Sequence, residues 1–295
     1  MSRRIVLLLV LLLAVLPATF AQVPAPPAPP IATPAPVDHS QEAFVIEKFR
    51  TSYRFDNDGT GRREFYAKVK IQSDSGVEQW GQIVMGYNSA NERVDIPFVR
   101  VLNPDGSTVT AKPDAVQDLS IPLEKEAPVY TDYRQKHITV PALRPGVELE
   151  YDFVTTTFTP LAPGQFWMEY DFVKSGTVLA EEVTVDVPAN RKIKLKTKPG
   201  NDPKITEADG RRVYSWTSSH VDKTDEEKKK DKDKDKEKKK KEPEGPAIQM
   251  TTFESWEQLG RWYAGLEKDR RQPTPEIRAK AAALVQGKTT DLDKI

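Results

Sequence analysis

The sequence predicts a mainly β protein: an antiparallel β-sandwich with a short C-terminal helical segment, a disordered spacer and a charged insertion. Three observations carry that expectation. From Ala43 to about His220 apolar residues recur with a period of two. Turn-forming dipeptides separate these runs at short intervals. Helical periodicity appears only after Phe253.

The elements follow in chain order. Arg3 and Arg4 precede an apolar run from Ile5 to Leu16, followed by Pro17 and by Ala18-Thr19-Phe20-Ala21. A basic start, a short apolar stretch and small residues at the exit describe a signal peptide over 1–21, cleaved after Ala21. The run falls short of the roughly twenty residues that span a bilayer. A periplasmic or secreted protein with no transmembrane anchor after cleavage is expected; an uncleaved anchor is the alternative. Seven prolines lie between Val23 and Val37. Proline fixes φ and removes an amide donor, so 22–42 reads as a Pro/Ala-rich disordered spacer.

Residues 43–253 form the expected sandwich domain. Val45, Phe49, Tyr53 and Phe55 oppose Lys48, Arg50, Ser52 and Arg54 across one strand. Phe65, Ala67, Val69 and Ile71 alternate with Glu64, Lys68, Lys70 and Gln72. Val147, Leu149, Tyr151 and Phe153 alternate with Glu148, Glu150 and Asp152, and the pattern returns at Phe166–Phe172 and Val183–Val187. Such strands suit antiparallel sheets with one dry face and one wet face. Asp58-Gly59, Asp105-Gly106, Pro145-Gly146 and Asp209-Gly210 supply the turns. Asp118–Tyr130 reads as a long surface loop, and no helix of useful length is expected within the sandwich.

From Asp222 to Glu244, 11 Lys and 10 Asp/Glu occupy 21 of 23 positions. Nothing in such a tract offsets the entropy of ordering, so 222–246 is expected to be a disordered insertion. Ala247–Phe253 resumes the extended pattern and is expected to rejoin the sandwich. Residues 254–295 are helical in pattern. Ser255 and Gln258 have capping-box spacing, and Leu259, Trp262, Tyr263 and Leu266 share one face. Thr274-Pro275-Glu276 opens a second helix that Gly287 closes. Thr290-Asp291-Leu292-Asp293 starts a third that stops at Ile295, which suggests a truncated chain whose next domain is missing.

Composition narrows the chemistry. The 295 residues carry 44 basic and 44 acidic side chains and no cysteine. Balanced charge gives no footprint for nucleic acid. Without cysteine there is no thiolate nucleophile, disulfide or Cys-ligated metal. His39, His137 and His220 are scattered, so no metal and no cofactor are expected. Glu148, Glu150 and Asp152 on one strand face, with Glu169 and Asp171 on another, raise a glycosidase reading; a solvated face explains them as well. Trp167 and Trp216 are the candidate ligand platform, since indoles stack on sugar rings, with core packing as the plain alternative.

The segments Val99–Val109 (VRVLNPDGSTV) and Tyr133–Tyr151 (YRQKHITVPALRPGVELEY) resemble the domain of unknown function that precedes transglutaminase-like domains in exported bacterial proteins. Phe253–Tyr263 (FESWEQLGRWY) is similar to the helix that opens their transglutaminase-like part, so the resemblance implies that 254–295 is the helical start of a truncated transglutaminase-like domain. The resemblance implies a β-sandwich followed by a papain-like fold with a Cys-His-Asp triad, none of which maps onto this chain. The expected protein is therefore not an enzyme in these residues. It is a non-catalytic extracytoplasmic module that positions or docks a following transglutaminase-like domain absent from this chain, or binds an extracytoplasmic protein or cell-wall glycan. The alternative is a carbohydrate-binding or carbohydrate-cleaving sandwich. A third reading gives Lys228–Lys241 an adhesive role on anionic surfaces.

Overall fold

The computed structural model describes residues 38–120, 131–221, 245–268 and 272–294. The residues expected to form a signal peptide, most of the proline-rich spacer, residues 121–130 of the expected Asp118–Tyr130 loop and the charged tract lie outside the described residues.

Fourteen strands make three sheets among the described residues. The largest has eight strands in the order β12-β13-β10-β1-β2-β8-β4-β5. Its centre is built from β1 (Phe44–Phe55), β2 (Gly61–Ile71), β8 (Glu148–Thr157) and β10 (Thr177–Pro188). Flanking these are β4 (Glu92–Leu102), β5 (Thr108–Thr110), β12 (Lys204–Ala208) and β13 (Arg211–His220). A second sheet orders β3 (Gln82–Asn88), β7 (Tyr133–Thr139) and β6 (Val116–Ser120). The third places β14 (Ile248–Thr251) between β11 (Lys194–Thr197) and β9 (Trp167–Tyr170).

Register explains how one face of the large sheet becomes dry. Ile46, Thr51 and Tyr53 on β1 stand opposite Val69, Phe65 and Arg63 on β2, and opposite Val178, Val183 and Val185 on β10. Val69, Ala67 and Phe65 meet Leu149, Tyr151 and Phe153 on β8, and Val183 and Val185 meet Trp216 and Tyr214 on β13. A bulge between Ile46 and Lys48 keeps these side chains on one face despite an extra residue. Both small sheets cover this face. The β3-β7-β6 sheet contributes Ile83, Tyr87 and Ile138 to a core with Val69, Leu149 and Phe153. The β11-β14-β9 sheet contributes Met168, Tyr170, Ile248 and Met250 to a neighbouring core with Val183, Val185 and Trp216. The result is a sandwich with one broad layer and a divided second layer.

The other face carries ion pairs: Lys48–Glu182 at 3.2 Å, Lys68–Glu148 at 2.9 Å, Arg100–Glu150 at 2.6 Å and Arg54–Asp186 at 3.1 Å. The one-dry, one-wet alternation is thus realised across the sheet.

Several local features differ from expectation. Asp118–Ser120 is not loop but the end of edge strand β6, held by Arg134 and Lys136 of β7, which pair with Asp118 at 2.9 and 3.0 Å. A seven-residue helix α1 (Asp74–Trp80) interrupts the sandwich, capped by Ser73, whose Oγ accepts from the Gly76 amide. It is too short to show a periodicity of its own. Gly76 is required by proximity: a Cβ there would stand 2.3 Å from the Ala43 carbonyl oxygen. One central pair, β1 with β10, is parallel, which an alternating pattern does not distinguish from antiparallel.

Ala247–Phe253 does return to the sandwich: β14 is the middle strand of its sheet. Three helices follow, α2 (Trp256–Glu267), α3 (Pro275–Val285) and α4 (Asp291–Lys294). Ser255 caps α2 by accepting from the Gln258 amide, and the Gln258 side chain accepts in return from the Glu254 amide at 2.7 Å. Thr274 caps α3 with Pro275 in its first turn.

Candidate functional site

The two tryptophans of the candidate platform have separate fates. Trp216 is 5% exposed and points into the second core, stacked beside Tyr214 at 6.3 Å, with its indole N–H donated to the Asn201 carbonyl. Its parity puts it on the dry face with Val183 opposite, so its ring faces protein rather than solvent. Trp167 opens β9 on the outward parity and is 41% exposed. Its ring lies 5.8 Å from both Phe253 and Trp262, which are themselves 5.7 Å apart. This cluster, with the Trp262 indole donating to the Leu161 carbonyl at 3.3 Å, ties α2 to the sandwich.

The carboxylates of β8 lie on the wet face and are largely neutralised there. Arg100 donates twice to Glu150, at 2.6 and 2.9 Å, and Lys68 pairs with Glu148. Asp152 is raised above the usual carboxylate range by desolvation and by nearby Glu64. Glu169 accepts from the Gln249 amide at 3.0 Å, and Asp171 is lowered, chiefly by its hydrogen bond from Lys174. His137 shares a hydrogen bond with Gln135 on β7, whereas His220 ends β13 in another sheet. Among the described residues no three His, Asp or Glu side chains gather as a metal site.

Two further features bear on function; the sequence reading missed the first and marked the apolar face of the second. The first is a cleft in the divided layer, where β9 and the β3–β4 turn leave part of the large sheet uncovered. Its floor is Tyr53, Gly61, Arg63 and Thr155; its walls include Glu92 on one side and Trp167 and Glu169 on the other, around about 490 Å³. Phe55, Glu92, Thr157 and Trp167 also line a second hollow of about 240 Å³ that reaches Asn88, Pro160 and Leu161, so the two are contiguous. Burial pushes the Tyr53 hydroxyl up, partly offset by Arg63. Arg63 and Glu181 both occupy dry-face positions of their strands. A charged residue at an apolar parity was the signal available for each. Glu181, 1% exposed, accepts from the Tyr170 hydroxyl at 2.7 Å and from the Val173 amide.

The second is the helical end. Trp256 is 83% exposed and Leu292 85%, and Tyr263, Leu266, Ile277 and Leu284 are also exposed. Together they leave a large apolar surface on the helices open to solvent.

Comparison with known proteins adds two findings. The family profile of the domain of unknown function DUF3857 matches residues 57–224. A solved structure of a candidate protease from Parabacteroides distasonis ATCC 8503 is similar with a TM-score of 0.65 and 16% identity, over 85% of this chain and 48% of that one. The chain thus spans about half the length of that structure, and at this identity the likeness shows the fold alone. A match to an M1 zinc metallopeptidase from Deinococcus radiodurans, with a TM-score of 0.33 and 14% identity over 60% of this chain and 39% of that one, bears no argument. No curated protein matches.

Proposed function

This chain belongs to the domain-of-unknown-function family DUF3857, and we propose that it is a non-catalytic extracytoplasmic β-sandwich module that positions or docks a following transglutaminase-like domain, of which 254–295 is the helical start. The observation that carries this reading is the apolar, solvent-facing side of α2 and α3, anchored to the sandwich through the Trp167–Phe253–Trp262 ring cluster. The caps of both helices are satisfied within the chain, so the helices are locally complete while their apolar side chains lack a cover. Each such side chain gains about 1.5–3 kcal/mol on full burial, enough for four or five of them to support a stable interface after the cost of association. The signal-like N-terminus supports placement outside the cytoplasm; among the described residues no helix is long and apolar enough to cross a membrane.

Isothermal titration of the chain with the transglutaminase-like part of a longer family member, lacking its own counterpart of 254–295, tests this reading. Micromolar or tighter binding is expected, weakened at least about tenfold by the combined change Tyr263→Ser and Leu266→Ser, with the β melt unchanged. Absence of binding at about 100 µM domain would refute it.

The carbohydrate reading now rests on Trp167, which is exposed and borders the cleft. A cell-wall glycan array read with tryptophan fluorescence tests it; the docking reading expects no response.

A further inference from the structure

We propose that the cleft in the divided layer binds an extended peptide, which adds as a strand to the free edge of β9 while Arg63 and Thr155 hold one acidic side chain of that peptide. This inference is independent of the docking role of the helices.

The edge comes first. β9 ends the order β11-β14-β9, so among the described residues one side of its backbone has no strand partner. The Thr252 amide donates to the Phe166 carbonyl across the β14 side. Hydrogen-bonded pairs alternate in an antiparallel ladder, so Met168 and Tyr170 also face β14, and the N–H and C=O of Trp167 and Glu169 face outward. Such an edge is a template for an incoming strand, and main-chain pairing supplies affinity without regard to sequence.

The floor supplies the selectivity. Arg63 and Thr155 are direct cross-strand partners on β2 and β8. Arg63 Nε and Thr155 Oγ1 are both buried atoms without a hydrogen-bond partner among the described residues, although Thr155 is only 1% exposed and lines the cleft. Leaving such groups unmet is costly, and Arg offers donors only. The Arg63 guanidinium reaches the Tyr53 hydroxyl but has no ion pair among the described residues, and a carboxylate oxygen at the cleft floor accepts from Arg63 and Thr155 and supplies that charge. The carboxylates that line the cleft have partners of their own: Glu92 accepts from the Asn88 amide at 3.0 Å and Glu169 from Gln249 at 3.0 Å. Arg62 at the rim pairs with Glu64 on the wet face at 3.3 Å. Because the cleft continues past Arg63 into the hollow beside Leu161, the peptide passes through it, and the carboxylate is that of a side chain rather than a chain end. Glu92 and Glu169 at the rim disfavour further acidic residues on either side.

The test uses the full chain and fluorescein-labelled heptapeptides, acetylated and amidated, that alternate valine and threonine around a central glutamate or a central glutamine. Fluorescence anisotropy should show the glutamate peptide binding at least about tenfold more tightly, as one charge-assisted contact implies. Arg63→Met, which keeps the stem, should abolish that preference, and Thr155→Val should reduce it. Hydrogen exchange at the Trp167 and Glu169 amides should slow on binding. The proposal is overturned if neither peptide binds at about 1 mM, as when water alone meets these donors. Equal binding of the two peptides overturns it too, as does a glutamate preference that survives in folded Arg63→Met. If that variant does not fold, the two peptides and the exchange at β9 of the native chain decide.

Discussion

The dry face of the large sheet and the exposed side of the C-terminal helices are written in the same kind of residues, and they end in opposite environments. Val69, Leu149, Phe153 and Val185 are fully buried, whereas Trp256, Tyr263, Leu284 and Leu292 stand in solvent. Periodicity placed each set on one side of its element. Whether that side became core depended on a second element arriving to cover it. Two small sheets cover the strands; the helices touch the sandwich mainly through the Trp262 ring cluster. An apolar stripe becomes core only where a second element covers it, and only the fold shows whether one does.

The sharpest way to break this comparison is to truncate one residue from each set. Phe153→Ala should cost about 3–5 kcal/mol, because a large cavity opens beneath the β3-β7-β6 sheet, and urea melts followed by circular dichroism should show the loss. Leu284→Ala on α3 should change stability by less than about 0.5 kcal/mol in the same measurement. Equal losses would mean that the helices pack as core after all. Trp262→Ala probes the joint between the two regions. It removes two ring contacts and one hydrogen bond, and should cost about 1–2 kcal/mol of local order in α2 with little effect on the β melt. The expected readouts are weaker helical ellipticity and a red-shifted Trp167 emission.

Charges sharpen the same contrast between inside and rim. Desolvation raises Glu181 above the usual carboxylate range, against the lowering effects of Tyr170, Val173 and His220. A raised carboxyl stabilises the fold fully below its ordinary value of 4.5 and less as pH climbs through the folded value. Glu181→Gln should flatten that fall when stability is measured from pH 4 to about pH 8. Asp118 shows the reverse. Burial alone would raise it, but the Tyr87 hydroxyl, Lys136 and Arg134 hold it at about 2. Its contribution is present above 3.8 and lost as pH falls towards about 2. Asp118→Asn should remove that acid-side loss. The effect at neutral pH should stay below about 1 kcal/mol, because the carboxyl is partly exposed and solvent screens the pairs.

Much of the fold was legible residue by residue. Parity alone separated Phe65, Ala67 and Val69 from Glu64 and Lys68, and the strands around them formed as expected. The caps at Ser255 and Thr274 were legible because a cap is a contact across three residues. The site was less so. Trp167 and Trp216 looked alike in sequence, yet one borders a cleft and the other is sealed beside Tyr214. Arg63 passed unnoticed although it sits at a dry-face parity, because one charged residue at a strand end is a weak signal until its neighbours are known.

The amino-acid order by itself determined which residues face the same way, where turns reverse and where helices begin. These depend on backbone geometry over two to four residues, which short-range sterics and hydrogen bonds dictate. The parallel pairing of β1 with β10, the division of the covering layer and the cleft with its unmet donors depend on contacts between residues tens to more than a hundred positions apart. Many registers satisfy the same alternation, and only simultaneous burial of both cores selects one.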